Sequence, residues 1–276
     1  MPVAYHRHAC DTLENAVLLS SGLGGSGAYW VAQIPALVRA GYTPITYDHR
    51  GTGNSPGELS SPYSISNMAQ DVLEVLDSVG VDRVHFVGHA LGGLIGLQLA
   101  LHAPQRLRSL SLVNAWAQLS QHTRRCFEIR LALLETHGPE AYASAQPVFL
   151  YPADWNEKNH LRIEDEIRRT IDHFPAHETL RKRVDALLAF DASSHLEDLH
   201  LPTFVLASRD DALVPFTCSQ RLHSGLAGAA SLDLLAYGGH AVNVTAPDRF
   251  NVWLCSRLST VDSAVTTTMP YEPCLK

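Results

Sequence analysis

The sequence lacks the cysteine and histidine patterns that mark disulfide scaffolds and metal sites. Its five cysteines are odd in number and show neither a CxxC pair nor regular spacing, so we expect free thiols in a reducing compartment. They are Cys10, Cys126, Cys218, Cys255 and Cys274. The fifteen histidines contain no HExxH motif, and the close pair His6 and His8 lies at a terminus that we expect to be frayed. The sequence therefore predicts no structural metal and no cofactor.

Positive charge and long apolar runs are also scarce. The chain has 276 residues, with 21 Lys and Arg against 28 Asp and Glu, and its formal net charge of −7 offers no basic surface to nucleic acid or an anionic membrane. The longest stretch without charge, Asn15–Val38, is interrupted by Ser, Gly, Gln and Pro, so it is not a spanning helix. The N-terminus lacks the apolar core of a signal peptide. We expect a cytoplasmic protein without nucleic-acid or membrane partners, and a homodimer stays open.

What the sequence does contain is an alternation of short apolar runs with longer helical stretches, typical of a mostly parallel sheet covered by helices. The predicted strands are Ala16–Ser20, Thr43–Tyr47, Val84–Val87, Leu110–Val113, Thr203–Ser208 and Leu232–Tyr237. A helix with apolar residues at helical spacing from Met68 to Val79 should stop at Gly80. The helix after the third strand is apolar nearly all round, so we expect it to be buried. With 46% hydrophobic residues, the chain can form a sizeable core.

The pattern changes between Trp116 and Leu199, where charge-rich helical segments dominate and no strand is evident. These segments are Arg124–Thr136, Glu157–Phe174 and Glu178–Phe190. The sequence predicts a helical cap (116–199) inserted into a core formed by residues 1–115 and 200–276. We expect the Thr- and Ser-rich tail from Val261 onwards to be loose.

Three strand ends carry polar or glycine-rich segments whose order indicates hydrolase chemistry. The segments are Gly88–Gly92, Asp211–Pro215 and Gly238–His240. Glycines around Ala90 permit a sharp strand-to-helix turn that projects one side chain above the sheet. Asp211 and His240, on later strand loops, can orient a base towards that position. This order, behind a Gly-rich first loop, predicts an α/β-hydrolase fold: a mostly parallel central sheet with an inserted helical cap.

The elbow itself departs from the hydrolase pattern. Ala90 occupies the position that the motif G-x-S-x-G gives to serine. A methyl group cannot attack a substrate, and neither His89 nor Leu91 supplies a hydroxyl, so an acyl-enzyme at this position is excluded. Three alternatives stay open: attack by a water molecule held near the elbow, a binding protein on an inactive scaffold, and chemistry that needs no nucleophile.

The candidate catalytic groups follow from the hydrolase order. His240, held by Asp211, would act as general base or acid, and Asp210 is an alternative for the carboxylate. The backbone N–H groups of Leu23 and Leu91 are candidate oxyanion-hole donors, and Leu91 also starts a helix whose dipole favours anions.

Substrate contacts are expected from the cap. An anionic substrate would need a positively charged partner there. Arg124 and Arg125 are the candidates for that partner, with exposed arginines on a helix face as the stronger alternative. Trp116 and Tyr151 are candidates for lining the pocket, with core packing as the alternative.

Several segments resemble the hydrolases of the Rut pyrimidine-degradation pathway, within the α/β-hydrolase superfamily. The matching segments are Ser21–Gly27, Asp48–Asn54, Gly88–Gly92, His122–Phe127, Phe149–Trp155 and Tyr237–Thr245. The two cap segments matter most, because hydrolases in general diverge there. In the family that the chain resembles, alanine is the expected elbow residue. The resemblance implies a role in uracil breakdown, as hydrolysis of 3-aminoacrylate or of carbamate with release of ammonia. It therefore also implies a small anionic substrate, which can bind well only through its charged group.

Three functions therefore compete. The first is a cofactor-free hydrolase of a small C–N substrate in pyrimidine catabolism. The second is a non-catalytic scaffold, which would have no need for an intact Asp211, His240 and Gly-rich loop. The third is a cofactor-free oxygenase or lyase that uses the His–Asp pair as a base on a large aromatic substrate, and it would require a roomy, aromatic-lined pocket.

Overall fold

The computed structural model describes residues 2–8 and 13–268, and its centre is a seven-stranded sheet in the order β1-β3-β2-β4-β5-β6-β7. The strands are Tyr5–Arg7 (β1), Ala16–Ser20 (β2), Thr43–Tyr47 (β3), Val84–His89 (β4), Leu107–Val113 (β5), Thr203–Ser208 (β6) and Ala230–Leu235 (β7). All neighbouring strands run parallel except β1, which pairs antiparallel with β3. The predicted mostly parallel sheet is confirmed.

Helices cover both faces of this sheet and fill the connection between β5 and β6. They are Ile34–Arg39 (α1), Ile65–Val79 (α2), Leu91–His102 (α3), Gln121–Leu150 (α4), Ala153–Lys158 (α5), His160–Asp172 (α6), His177–Ala189 (α7), Phe216–Gly225 (α8), Val242–Thr245 (α9) and Pro247–Thr268 (α10). In the part of the chain that the structure describes, no helix is both long and apolar enough to cross a membrane.

Local sequence signals set the bounds of the two helices that flank β4. The Ser64 side chain caps α2 in a reciprocal capping box with Asn67, and Gly80 ends the helix in the left-handed conformation (φ 77°), as expected. The apolar helix α3 is almost entirely buried, which confirms the sequence prediction. A side chain at Gly96 would lie 2.7 Å from the Phe86 ring, so glycine there lets α3 pack directly on the sheet.

Helices α4 to α7 form the inserted helical segment, and a short contact between its two ends closes it off. Gln118 and Asp191 form an isolated antiparallel bridge, and the N–H of Ala192 donates to the carbonyl of Ala117. Apart from this bridge, the described residues of the segment contain no strand. The helical insertion is confirmed, whereas the domain bounds at 116 and 199 stay predictions.

Several local expectations are wrong at the edges of elements. The chain start is not frayed: Tyr5–Arg7 pairs with β3, and the His8 ring bonds the Thr46 hydroxyl at 2.9 Å. Of the tail that was expected to be loose, residues 261–268 continue the last helix, α10, whose apolar face packs in the core through Phe250, Leu254 and Leu258. Residues 269–276 of that tail lie outside the described residues.

The helical segment differs from expectation in length and division. Its first helix reaches Leu150 and is interrupted at Gly138, where φ is 84°. The expected helix Glu157–Phe174 is divided at Asn159. Of the cysteines, Cys126, Cys218 and Cys255 are free thiols, and Cys10 and Cys274 lie outside the described residues.

Candidate active site

The turn between β4 and α3 has the elbow geometry that the sequence predicts. Ala90 has φ 48° and ψ −111°, a conformation that non-glycine residues rarely adopt. A side chain at Gly88 would overlap the backbone of Gly92, and one at Gly92 would overlap the carbonyl oxygen of Ser20. These glycines are therefore required for the close approach of strand, turn and helix. The turn presents a methyl group at the position where a serine nucleophile would sit.

His240 and Asp211 form a buried pair beside this turn. The Nδ1 atom of His240 lies 2.8 Å from Oδ2 of Asp211, and the two residues are 3% and 8% exposed. The other oxygen of Asp211 accepts the backbone N–H groups of Leu213 and Val214, both at 2.8 Å, which fixes the carboxylate. Because Nδ1 faces the carboxylate, the imidazole keeps Nε2 for proton transfer.

Asp210 has a different task from its neighbour. Its carboxylate accepts the backbone N–H groups of Gly238 and Gly239, at 3.1 and 2.9 Å. It therefore holds the loop that carries His240 rather than the imidazole itself. Of the two carboxylates that the sequence left open, the geometry selects Asp211 as the partner of His240.

Two further residues hold the backbone of His240, and sequence reasoning missed the first of them. The Asn114 amide donates to the carbonyl of His240 at 2.6 Å and accepts the N–H of Ser208 at 3.0 Å. A positive φ of 47° at this residue was not signalled by the strand pattern before it. His89 donates from Nε2 to the same carbonyl at 2.9 Å. Burial, together with the neighbouring His240, holds the pKa of His89 well below its usual range, so this ring is neutral.

The two predicted oxyanion donors lie at the starts of a turn and a helix. Leu23 belongs to the turn Gly22–Gly25, closed by a hydrogen bond from the N–H of Gly25 to the carbonyl of Gly22 at 3.0 Å. Leu91 is the first residue of α3. Among the described residues, neither N–H has an acceptor, and the first N–H groups of a helix attract negative charge. The role of both groups as an oxyanion hole stays a prediction.

The substrate-binding residues expected in the helical segment are placed less clearly. Arg124 is half-buried and Arg125 is exposed, and neither side chain has a hydrogen bond or ion pair among the described residues. Trp116 is 1% exposed and packs in the main core. Tyr151 is buried, donates to Glu166 at 2.7 Å, and lies next to Leu150, whose carbonyl accepts the N–H of Ala241. Tyr151 is therefore close in sequence to a contact with the His240 loop, but no described hydrogen bond joins its side chain to that loop.

The central residues of the candidate site are buried: Ala90, Asp211 and His240 are 6%, 8% and 3% exposed. Two cavities of about 620 and 470 Å³ open on the surface, lined near Tyr63 and Asp71 in the first case and near Tyr47 and Asp48 in the second. Neither cavity is lined by Ala90, Asp211 or His240. Among the described residues, no cluster of three or more His, Cys, Asp or Glu side chains could hold a metal ion.

Comparison with known proteins agrees with this architecture. The family model for the alpha/beta hydrolase fold matches residues 15–230. A hydrolase from Pseudomonas aeruginosa PA01 superposes with a TM-score of 0.83 at 30% identity, covering 93% of this chain and 94% of that one. An enol-lactonase from Burkholderia xenovorans LB400 shares the fold, with a TM-score of 0.84 at 23% identity over 93% and 96% of the two chains. The protein is therefore an α/β-hydrolase.

Closer relatives define its place within that family. A protein of Variovorax paradoxus (strain S110) named "Putative carbamate hydrolase RutD" is 51% identical over 263 residues, covering 95% of this chain and 98% of the relative. A protein of the same name from Pseudomonas syringae pv. syringae (strain B728a) is 48% identical over 254 residues, covering 92% and 97%. The chain belongs to the RutD family, and the resemblance drawn from its motifs is confirmed.

Proposed function

We propose that this protein hydrolyses a small C–N substrate, carbamate or 3-aminoacrylate, in pyrimidine breakdown and releases ammonia. One observation carries the proposal: a buried, oriented His240–Asp211 pair stands beside an elbow whose Ala90 cannot form an acyl-enzyme. The relatives at about half identity are named for carbamate hydrolysis, which supports the same reaction class. The substrate that these groups suit is one that water attacks directly.

For carbamate, His240 Nε2 takes a proton from water as the water oxygen bonds to the carbonyl carbon. The imidazolium then returns a proton to nitrogen, the C–N bond breaks, and ammonia and bicarbonate leave. For 3-aminoacrylate, His240 as imidazolium protonates C2 of the enamine, and the neutral imidazole then takes a proton from the water that adds at C3. His240 passes that proton to the amino group, the C–N bond breaks, and ammonia leaves as the hydroxyl proton returns to His240, which gives 3-oxopropanoate. Asp211 does not change protonation in either sequence; it keeps the Nδ1–H tautomer and stabilises the imidazolium.

The magnitude of catalysis expected without a serine fits substrates of this kind. An oxyanion hole and binding alone still give roughly 10³–10⁴-fold over water when a triad is incomplete. That acceleration would be of little use for a peptide, but carbamate and enamines decompose without a catalyst. The burial of Ala90, Asp211 and His240 also suits a substrate of a few heavy atoms better than the large aromatic that an oxygenase or lyase would take.

Ammonia release tests the proposal. Carbamate and 3-aminoacrylate are each supplied to wild type, His240→Ala and Asp211→Asn, and ammonia is measured against the rate without enzyme. His240→Ala should lower the catalysed component by about 10²–10⁴-fold, the usual contribution of a general acid–base. Asp211→Asn should act in the same direction, because the imidazole then takes the wrong tautomer.

Circular dichroism of both variants checks that the fold is kept. Full activity in His240→Ala would show that the pair has no catalytic part. Ammonia release by wild type no faster than the rate without enzyme, from both substrates, would favour the non-catalytic scaffold.

A further inference from the structure

Arg183, on helix α7 of the inserted segment, is a fully buried cation that forms no ion pair with a described residue. Its exposed fraction is 0%, and its Nη2 atom donates to the backbone carbonyls of Arg50 at 2.5 Å and His49 at 3.3 Å. Its Nε and Nη1 atoms are buried and have no partner among the described residues. Asp71, the carboxylate whose charge reaches Arg183, is itself bonded to the Arg50 guanidinium at 2.6 Å. Two nitrogen atoms of this buried guanidinium therefore carry N–H groups that have no hydrogen-bond acceptor among the described residues.

The groups around Arg183 show the same deficit. Both ring nitrogens of His49, Oγ1 of Thr52 and the hydroxyl of Tyr63 are buried without a hydrogen-bond partner in the part of the chain that the structure describes. Arg183, His49 and Thr52 meet at Gly25. Nη1 of Arg183, Cβ of His49 and Oγ1 of Thr52 all lie 3.0–3.1 Å from the position that a Cβ on Gly25 would take. A cluster of unpaired polar atoms on four residues contrasts with the rule that buried polar groups are hydrogen-bonded.

The place of this cluster relates it to the candidate active site. Gly25 is the last residue of the Gly22–Gly25 turn, which carries the predicted oxyanion donor Leu23. The first residue of that turn, Gly22, contacts the His89 ring: a Cβ there would lie 3.1 Å from Nδ1. The ends of such a turn are within roughly 7 Å of each other. Arg183 and the His89–His240 pair therefore lie at opposite ends of one short turn.

Arg130, the other buried arginine of the segment, shows what a purely structural cation looks like. Its guanidinium lies over the rings of Phe127, Tyr142 and Phe149, and donates to the Tyr142 hydroxyl at 2.7 Å and to Gln146 at 3.1 Å. Its Nε is the one buried nitrogen of the side chain without a partner among the described residues. Arg183 has no such aromatic surroundings among the described contacts, and isolated buried charges are costly unless an opposite charge joins them.

The chemistry of the cluster matches an oxyanion. Burial lowers the pKa of Arg183 to about 10, so the side chain is still a cation at neutral pH. Burial and the nearby Arg183 lower the pKa of His49 to about 3, so this ring is neutral and has one N–H to donate. Thr52 and Tyr63 each add a hydroxyl donor. A planar carboxylate or carbonate accepts several such donors at once, and guanidinium matches its geometry.

We propose that Arg183, with Thr52 and His49, forms a binding site for a small carboxylate or carbonate anion between helix α7 and the Gly22–Gly25 turn. The site receives the anionic group of the substrate or product, and in this respect it rests on the proposed function. It takes the role that the sequence assigned to Arg124 and Arg125, namely the positive partner contributed by the helical segment.

Equilibrium binding of two inert anions, acrylate and bicarbonate, tests this site by isothermal titration calorimetry at constant ionic strength with chloride. Wild type should bind at least one of them saturably. Thr52→Val keeps the side-chain shape and removes one donor, and it should weaken binding by about tenfold. Arg183→Met should abolish saturable binding. Arg181→Met, an exposed arginine on the same helix paired with Glu135, is the matched control and should bind like wild type.

Thermal unfolding of each variant without anion separates loss of the site from loss of the fold. If Arg183→Met does not fold, the anion affinity of Thr52→Val alone tests the site. Wild-type affinity in a folded Thr52→Val and a folded Arg183→Met would overturn the site. So would the absence of any saturable binding to wild type, because the unpaired donors would then be satisfied by water.

His240→Ala separates this site from the proposed reaction. It should bind acrylate like wild type while its ammonia release is lost. Anion binding that depends on Thr52 and Arg183 in an enzyme that releases no ammonia from either substrate would leave the site standing and remove the proposed function. Normal ammonia release by wild type, together with anion binding that neither Thr52→Val nor Arg183→Met weakens, would leave the proposed function standing and remove the site.

Discussion

At the scale of single residues, Ala90 combines a strained backbone with a side chain that has no chemistry. Positive φ at a non-glycine residue costs on the order of 1–3 kcal/mol, which a protein retains only where the surroundings fix it. Here the surroundings are the N–H of Ala90 bonded to Val113 at 2.9 Å and the start of α3 at Leu91. The turn thus sets the position of the Leu91 N–H and of the helix N-terminus even without a nucleophile.

Ala90→Ser is the substitution that tests this interpretation. Wild type should hydrolyse p-nitrophenyl acetate at trace rates only, because the elbow has no nucleophile. Ala90→Ser should not release ammonia faster than wild type from either proposed substrate, since the new hydroxyl would occupy the space assigned to water. A nitrophenol burst with a trapped acyl group in wild type would refute the first expectation. Faster ammonia release by Ala90→Ser would show that the attacking water is not at the elbow.

At the scale of elements, β2, β4 and α3 meet so closely that glycine is required at particular positions and not at others. A Cβ on Gly92 would overlap the carbonyl of Ser20 at the end of β2, and backbone cannot move aside as a flexible side chain can. By contrast, no atom lies within 4 Å of the position that a Cβ on Gly24 would take. The two glycines look alike in the sequence but differ in what surrounds them.

Gly92→Ala should therefore lower the free energy of unfolding by about 1–3 kcal/mol, the usual cost of overpacking. Gly24→Ala, the matched control, should leave it unchanged or slightly raised, because alanine restricts the unfolded chain more than glycine. Urea denaturation followed by circular dichroism measures both. Equal stability of the two variants would mean that the elbow relaxes around the added methyl group.

At the scale of the whole molecule, the inserted helical segment contacts three loops at the candidate site: those of Asp211 and His240 and the loop after β3. His122 and Thr123 bond the carbonyls of Ala212 and Leu213 beside Asp211, at 2.8 and 3.1 Å. Leu150 accepts the N–H of Ala241 next to His240. The third contact, Arg183 with the carbonyls after β3, lies at the Gly-rich turn. The segment therefore bears on the geometry of the site as well as covering it.

Buried neutral histidines make the stability of the whole fold depend on pH. The pKa of His49 is lowered to about 3 and that of His89 falls well below its usual range, in both cases chiefly through burial. The unfolded chain therefore binds more protons than the folded one below about pH 6.5, and stability should fall as pH decreases, by up to about 1.4 kcal/mol per pH unit for each histidine.

Urea unfolding midpoints between pH 8 and pH 5 measure this slope. His49→Gln should flatten it by the share of one histidine, whereas His102→Gln, at an exposed position, should leave it unchanged. A slope that is the same in His49→Gln and wild type would show that His49 titrates alike in both states.

Much of the fold and the order of the site residues could be predicted from the sequence because they depend on residues that are close together in the chain. Alternating apolar runs predicted six of the strands, to within a few residues at their ends, and glycines around Ala90 predicted the elbow. The chain order of Ala90, Asp211 and His240 was also readable, since each follows a predicted strand. Carboxyl ends of parallel strands meet at one edge of a sheet, so this order already implied proximity.

The remaining features of the fold and the site depend on contacts between residues that are far apart in the chain. The choice between Asp211 and Asp210 depended on which carboxylate faces the imidazole, although both follow β6. The short strand β1 exists through its pairing with β3, some forty residues away. Arg183 looks in the sequence like any arginine on a charged helix, as Arg124 and Arg125 do. Only tertiary packing buries it, because burial is set by the surfaces that α7 and the β3 loop present to each other and not by the residues beside it in the chain.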